Sequence, residues 1–408
     1  MSELARESST RPFVRRGSFL PFALPTIDEE DVDEVVDVLR SGWLTSGPQI
    51  QKFEREFSTE VGATAALALS SGTAAMHVAL SALDVPAGKA VITTPMTFCS
   101  TAHVIEQIGC RPLFVDVEPD TLNLEPAGVR RALDEYGDEV AAILPVHYAG
   151  HPVELDQFLE MGRSHRIPVV EDAAHAFGAA FRDVAIGEVS GQDQRAVCFS
   201  LYATKNITSG EGGVLTGSEA LVQTSRLWSL HGMSRDSWQR YGPRGSWDYE
   251  VLMPGFKYNM SDIQAALAAT QLRRWRSFQR TRTAIAARYT ALLADIDEVE
   301  TPIRRPHVTH AWHLYPLRLH LPALTIDRAE FVEQLRLRNI GTSVHFIPLH
   351  TQPYYRDRYG FERDDFPVAA AEFDRMFSLP IYPRMSPGDV DDVVAAVRDV
   401  VAANRRRS

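Results

Sequence analysis

Between residues 65 and 217 the sequence alternates short apolar runs with segments of helical periodicity, and this alternation is the strongest constraint on the fold. The runs lack the polar–apolar alternation of half-buried strands, which is typical of strands buried on both faces. Helices between such strands predict an α/β fold with a mainly parallel, seven-stranded sheet. The predicted strands cover residues 65–69, 90–94, 111–115, 140–146, 168–171, 196–200 and 213–216, and the predicted helices cover residues 74–83, 99–108, 126–135, 152–165 and 219–230.

The chain of 408 residues exceeds the size at which one hydrophobic core keeps growing, so we expect two domains. The expected organisation is a mobile arm at residues 1–20, a large ligand-binding domain at 21–270, and a connecting helix with a smaller C-terminal α+β domain at 271–408. Ser261 is a candidate N-cap of that long helix. Further elements are predicted as strands at 311–319 and 341–347 and helices at 327–337 and 386–404.

Composition excludes several classes of protein. Lys and Arg number 42 against 53 Asp and Glu, and the net charge of −11 argues against a nucleic-acid-binding surface. The three cysteines have no CxxC spacing, which argues against a zinc site or a disulfide framework and favours a reducing, cytoplasmic setting. The N-terminus has no apolar signal core, and no apolar run is long enough to span a membrane.

Lys205 is the first candidate for chemistry. It stands between a predicted strand and the glycine-rich turn at 210–213, in a segment with few other charges. Partial burial lowers the pKa of a lysine and makes it a nucleophile toward carbonyls, as in Schiff bases with pyridoxal phosphate. The alternative is an ordinary loop lysine, so the hypothesis needs partners elsewhere in the chain.

The ends of other predicted strands supply such partners. Asp172 follows a buried strand and could keep a pyridine nitrogen protonated, although an acid there is also a common N-cap. His175 could reach the phenolic oxygen of the cofactor or be a core histidine. Phe98 could stack on the pyridine ring or pack in the core.

A seat for a phosphate is predicted where the first strand meets its helix. The sequence Ser-Ser-Gly-Thr at 70–73 combines small hydroxyl residues with Gly72 at a helix N-terminus, where backbone N–H groups attract anions. Thr73 and, from another strand end, Ser200 could add hydroxyls. Turns of this composition also occur for packing reasons alone.

These blocks together resemble the DegT/DnrJ/EryC1/StrS family of sugar aminotransferases. The resemblance rests on the motifs at 70–73, 95–98, 169–175, 203–213 and 255–266, supported by 39–45 and 343–350, and it covers about residues 20 to 400. It implies the aspartate aminotransferase type I fold, pyridoxal 5'-phosphate as cofactor, no metal, and a homodimer with a shared active site.

The resemblance also implies roles for individual residues. Lys205 corresponds to the Schiff-base lysine and proton shuttle, and Asp172 to the partner of the pyridine nitrogen, in a cofactor that passes through pyridoxamine phosphate as an intermediate. The remaining cofactor contacts implied are Gly72, Thr73, Phe98, His175, Ser200 and Asn259, the last reaching the phosphate of the neighbouring subunit. Contacts with the sugar nucleotide are expected from Trp43, Arg235, His345, His350 and Tyr354, for which a polar loop or domain-interface role is the alternative.

The family aminates keto-sugars carried on nucleoside diphosphates, with glutamate as the usual amino donor. The blocks at 255–260 and 344–355 are most similar to members that aminate C4. We therefore expect a 4-keto-6-deoxyhexose nucleotide, dTDP-linked, to become a 4-amino-4,6-dideoxy sugar. A C3 keto-sugar aminotransferase, a cyclitol aminotransferase acting on a scyllo-inosose, and a non-catalytic regulatory binding protein are the alternatives.

Overall fold

The computed structural model describes residues 13–191, 194–234 and 248–406. Its strands are β1 (Ala65–Leu69), β2 (Ala90–Thr93), β3 (Arg111–Phe114), β4 (Val140–Ile143), β5 (Val169–Asp172), β6 (Ala180–Phe181), β7 (Val184–Ala185), β8 (Arg195–Ser200), β9 (Gly213–Gly217), β10 (Val299–Glu300), β11 (Val308–Thr309), β12 (Tyr315–Leu319) and β13 (Met376–Leu379).

The seven predicted strands of the α/β part join in one sheet, in the order β1-β9-β8-β5-β4-β2-β3. Strand β9 is antiparallel to its neighbours β1 and β8, and the other neighbouring strands are parallel. The mainly parallel, seven-stranded sheet is therefore confirmed. Because the parallel strands run the same way, the chain leaves β1, β2, β5 and β8 at one edge of the sheet.

The helices begin and end largely at residues with recognisable capping chemistry. They are α1 (Glu29–Ser41), α2 (Pro48–Val61), α3 (Gly72–Ala82), α4 (Cys99–Gln107), α5 (Pro126–Tyr136), α6 (Leu155–His165), α7 (Glu219–Ser229), α8 (Asp262–Leu293), α9 (Arg328–Leu337), α10 (Pro353–Tyr359), α11 (Pro367–Arg375) and α12 (Pro387–Asn404). Ser261 caps α8 as predicted, in a capping box with Gln264, and Gly42 ends α1 in the left-handed conformation.

Apolar side chains cover both faces of the large sheet. One face packs on α2, α6 and the first half of α8 around Phe53, Phe57 and Phe199, and the other packs on α3 and α7 around Leu69 and Leu80. A separate cluster joins the second half of α8 to β12, β13 and α12. The long helix α8 thus contributes to both cores and crosses the expected boundary at residue 270, so the domain division itself stays a prediction.

The C-terminal part differs from two sequence-based predictions. The strand expected at 311–319 begins only at Tyr315, because Trp312 has φ 49°, a left-handed value that interrupts an extended strand. The strand expected at 341–347 is wrong: among the described residues it makes one isolated bridge, between Ser343 and Ser378. The place beside β12 is taken by β13, whose four residues are all buried.

The N-terminal segment, described from residue 13, contacts the C-terminal part of the chain at a few residues, of which Phe13 packs against its apolar cluster. Arg16 lies 2.8 Å from Asp389 and 2.6 Å from Asp392 of α12, and Leu20 pairs with Ile340. The segment expected to be an arm up to residue 20 therefore contacts the C-terminal part of the chain. Across the described ranges, every helix is too short or too polar to cross a membrane.

Phe199 is a central side chain of the core between the large sheet and α2. It is fully buried, with ring centroids 5.2 Å from Phe57 and 6.1 Å from Phe177. We expect Phe199→Ala to lower the free energy of unfolding by about 3–5 kcal/mol, because a cavity replaces the ring. The control Phe19→Ala removes a half-exposed ring and should cost less than about 1 kcal/mol in the same chemical denaturation, followed by circular dichroism. Equal losses in the two variants would contradict this assignment of the core.

Candidate active site

The loop that follows β8 carries Lys205 at the edge of the sheet. Leu201 N donates to Gly212 O at 2.8 Å and closes the base of the loop, and Ser209 N donates to Leu201 O at 3.0 Å. A tight turn, with Lys205 N donating to Tyr202 O at 2.8 Å, sets the backbone of the lysine. The loop is therefore built from its own backbone bonds, which fix where the amine stands relative to the sheet.

Lys205 is half-buried and lies within electrostatic reach of Asp172, His175 and His345. Burial lowers the pKa of Lys205 to about 8, while the Asp172 carboxylate acts in the opposite direction. Burial, assisted by the nearby Lys205 charge, lowers the pKa of His345 to about 4 and holds the pKa of His175 well below its usual value. The lysine is therefore the basic group of this set whose pKa lies nearest to neutral pH.

Asp172 ends β5 with both carboxylate oxygens engaged. Ala174 N donates to Oδ1 at 3.1 Å and Thr101 Oγ1 donates to Oδ2 at 2.8 Å. The residue before it, Glu171, points into the opposite face of the sheet, where Arg195 Nε lies 2.5 Å from one carboxylate oxygen and His147 Nε2 lies 2.9 Å from the other. Burial alone would raise the pKa of Glu171, but Arg195 and His147 outweigh it and hold that pKa at about 2.

The predicted anion seat is the turn between β1 and α3. Ser71 caps α3 by accepting a hydrogen bond from Ala74 N at 3.0 Å. Gly72 and Thr73 stand in the first turn of the helix, where backbone N–H groups have no intrahelical acceptor. A Cβ on Gly72 would lie 3.0 Å from the Cβ of Ser200, so a larger residue at 72 would crowd Ser200. Gly72, Thr73 and Ser200 are thus brought together at one place.

Aromatic and imidazole rings form another wall of the site. Phe98 is 58% exposed, with its ring centroid 6.0 Å from Phe346, and the His175 ring stacks on Phe346 at 5.9 Å. The buried Nδ1 of His175 has no hydrogen-bond partner among the described residues. An exposed aromatic face and an unsatisfied imidazole nitrogen fit a flat, polar ring, and the anion seat fits its phosphate.

Two residues of this site were missed by sequence reasoning. The His313 ring lies 4.4 Å from that of His175, and Lys205 helps to lower the pKa of His313. Asn206 donates through Nδ2 to Ala311 O at 2.8 Å, and its Oδ1 lies 3.1 Å from His313 Nδ1. In the sequence, the one feature that marks Asn206 as a candidate site residue is its position directly after Lys205. His313 had no local signal, because its partners are distant in the sequence.

Two further predicted residues meet beside β1. Asn259 pairs with Leu69 in an isolated bridge and donates to Ser46 Oγ at 2.9 Å. Trp43 Nε1 donates to Ser46 O at 3.0 Å. Asn259 and Trp43 are therefore linked through Ser46, next to the strand that leads into the anion seat.

The remaining predicted sugar contacts divide into groups. His345 joins the Lys205 cluster, whereas His350 is fully buried, lies 3.1 Å from Arg363 O and packs its ring 4.8 Å from Phe366. Tyr354 is half-exposed and donates to Glu106 of α4. Arg235 lies outside the described residues. Over the part of the chain that is described, no cluster of three or more acidic, histidine or cysteine side chains is arranged to bind a metal.

A model of the DegT/DnrJ/EryC1/StrS aminotransferase family matches residues 25–398. The chain belongs to this family. SpsC of Bacillus subtilis, named as a spore coat polysaccharide biosynthesis protein, is 44% identical over 389 residues, which cover 95% of this chain and 98% of SpsC. An uncharacterized protein of Methanocaldococcus jannaschii is 45% identical over 391 residues, which cover 96% of this chain and 100% of that protein.

The fold is also that of a solved family member. Spr1654 of Streptococcus pneumoniae, described as a sugar aminotransferase, superposes with a TM-score of 0.86 at 30% identity, covering 94% of this chain and 99% of that one. It is known in forms with pyridoxamine phosphate and with pyridoxal phosphate. The expected aspartate aminotransferase type I fold is confirmed, and the protein is a sugar aminotransferase that depends on pyridoxal phosphate.

The lowered pKa of Lys205 predicts how uptake of the cofactor depends on pH. A protonated amine cannot attack an aldehyde, and the Lys205 amine loses its proton as the pH rises through about 8. We expect the rate of pyridoxal phosphate uptake by the apoprotein to rise about fivefold from pH 7 to pH 8, to reach about ten times the pH 7 rate at pH 9, and to level off above that, in stopped-flow absorbance measurements. Lys89→Ala, an exposed-lysine control, should leave the profile unchanged. A rate that still climbs steeply between pH 9 and pH 10 would contradict the lowered pKa.

Proposed function

We propose that the protein transfers an amino group from glutamate to C4 of a dTDP-linked 4-keto-6-deoxyhexose, giving the 4-amino-4,6-dideoxy sugar. The observation that carries the proposal is the half-buried Lys205 amine, with its pKa lowered to about 8, beside Asp172 and three imidazoles. Similarity to a polysaccharide biosynthesis protein supports a sugar substrate. The choice of C4 rests on the resemblance of the blocks at 255–260 and 344–355.

The residues at the edge of the sheet suit the parts of the cofactor they would hold. The N–H groups of Gly72 and Thr73, with the Ser200 hydroxyl, would bind the phosphate. Phe98 would cover one face of the ring, and His175 would donate to its phenolic oxygen through a nitrogen that is otherwise unsatisfied. In this proposal these contacts hold the cofactor within reach of the Lys205 amine.

Lys205 would move the proton in both halves of the reaction. The bound cofactor supplies an electron sink for the carbon that loses or gains a proton. The Lys205 amine, once free, would take the proton from the donor carbon and return one to the sugar carbon, a task for a base with a pKa near the working pH. Asp172 would keep the ring nitrogen protonated during both steps.

A homodimer and a cytoplasmic setting are part of the proposal. Asn259 lies with Ser46 and Trp43 beside β1 in its own chain, and we propose that this segment reaches the phosphate site of a partner subunit. Arg235, His345 and Tyr354 are the other proposed contacts with the sugar nucleotide, whereas His350, which is fully buried against Phe366, is not among them. The three cysteines are free thiols, which agrees with a reducing compartment.

A panel of keto-sugars tests the substrate. The purified protein, loaded with pyridoxal phosphate, is incubated with glutamate and with dTDP- and UDP-linked 3-keto and 4-keto sugars and scyllo-inosose, and the products are read by mass spectrometry and NMR. We expect a new amine at C4 of the dTDP-linked 4-keto-6-deoxyhexose, and none with Lys205→Ala. Amination only at C3, or only of the cyclitol, would refute the C4 proposal. Failure to convert glutamate to 2-oxoglutarate with any acceptor would refute glutamate as the amino donor.

Two histidines of one loop provide a matched test of the sugar site. His345 stands in the Lys205 cluster, whereas His350 packs against Phe366. We expect His345→Ala to lower kcat/KM for the keto-sugar by about tenfold or more, through loss of a polar contact, and His350→Ala to lower it by less than about threefold. Melting temperatures identify any loss due to unfolding. Equal losses in two folded variants would place the sugar against His350 as well.

A further inference from the structure

Two hydroxyl groups are hydrogen-bonded in series to the Asp172 carboxylate. Thr101 Oγ1 donates to Asp172 Oδ2 at 2.8 Å, and Thr97 Oγ1 lies 2.8 Å from Thr101 Oγ1. Because the one hydroxyl proton of Thr101 goes to the carboxylate, Thr97 must be the donor in the second bond. Hydrogen bonds are therefore donated in one direction, from Thr97 to Thr101 and from Thr101 to Asp172. All three residues are at least 95% buried.

The two threonines are placed around the ring that faces the cofactor site. Thr97 and Thr101 flank Phe98, which precedes α4, and the segment is tied by Thr101 N donating to Phe98 O at 3.2 Å. The same short segment thus carries the exposed aromatic face and the hydroxyl that donates a hydrogen bond to Asp172. A shift of this segment would move the ring and the carboxylate together.

We propose that Thr101, supported by Thr97, is a positioning residue that holds the Asp172 carboxylate in place against the ring nitrogen of the cofactor. Hydrogen bonds to a carboxylate stabilise its charged form and lower its affinity for a proton. A proton shared between Asp172 and the ring nitrogen then stays on the nitrogen, where it makes the ring an electron sink. The inference rests on the proposed role of Asp172.

The second donor to Asp172 explains why the hydroxyl matters. Ala174 N holds Oδ1 at 3.1 Å, so the backbone alone fixes one oxygen. Without the Thr101 hydroxyl the other oxygen would be buried with one donor fewer, and the carboxylate would be less firmly held against the ring nitrogen. Valine at 101 keeps the shape of threonine and removes only the hydroxyl, which makes it the informative substitution.

The test reads the protonation of the ring nitrogen directly. Thr101→Val, Thr101→Ser and Asp172→Asn are loaded with an excess of pyridoxal phosphate labelled with ¹⁵N in the ring, and the ¹⁵N chemical shift is measured together with the cofactor dissociation constant. We expect Thr101→Val to move the resonance toward the unprotonated position and to raise the dissociation constant about tenfold, because a hydrogen bond to a charged group is lost. Thr101→Ser should stay near the wild-type values.

Matched controls separate this effect from general damage. Thr93→Val also removes a buried threonine hydroxyl, one that donates to Leu144 O at 2.8 Å, and should change neither reading. If Thr101→Val does not fold, Thr97→Val gives the same test with a smaller shift in the same direction. A wild-type resonance in the folded Thr101→Val protein, with a shifted one in Asp172→Asn, overturns the role of Thr101 alone. A wild-type resonance in Asp172→Asn overturns the proposed role of Asp172.

Discussion

The site depends on two parallel strands that lie side by side and end at the same edge of the sheet. In the register of β5 and β8, Asp172 lies opposite Cys198, so the carboxylate stands close to the point where β8 leads into the Lys205 loop. Antiparallel strands would have put the two groups at opposite edges. Because they share an edge, a partly buried amine is kept within reach of a carboxylate, and its pKa falls only to about 8.

The same strand has to accommodate a second acid. Successive side chains of a strand point to opposite faces, so Glu171 enters the apolar face opposite to that of Asp172. Burying a carboxylate without partners costs several kcal/mol of free energy, and the contacts of Arg195 and His147 with Glu171 offset that cost. Val153 N donates to His147 Nδ1 at 3.2 Å, which leaves the proton on Nε2, facing Glu171. The strand end is therefore held from both faces, and Asp172 keeps a fixed place at the edge.

Local sequence patterns predicted the large sheet and the strand ends near which the candidate site residues lie. Apolar runs marked the strands to within a few residues, and Gly72, Asp172 and Lys205 lie at or shortly after the ends of β1, β5 and β8. Contacts between distant segments could not be read from such patterns. His313 meets Asn206 across 107 positions of the chain, and β12 pairs with β13, which was not predicted as a strand, because tertiary packing decides which segment pairs.

The imidazoles around Lys205 determine which group titrates in the site. His175, His313 and His345 are each kept largely neutral at pH 7 because burial and the nearby lysine lower the pKa of each. A positive charge on any of them would repel the ammonium form of Lys205 and push its pKa lower still. With the imidazoles neutral, protons can be gained and lost at the lysine near pH 8 while its neighbours keep a constant charge. A single proton carrier among neutral donors and acceptors is suited to a reaction in which the same amine must take a proton from one carbon and deliver one to another.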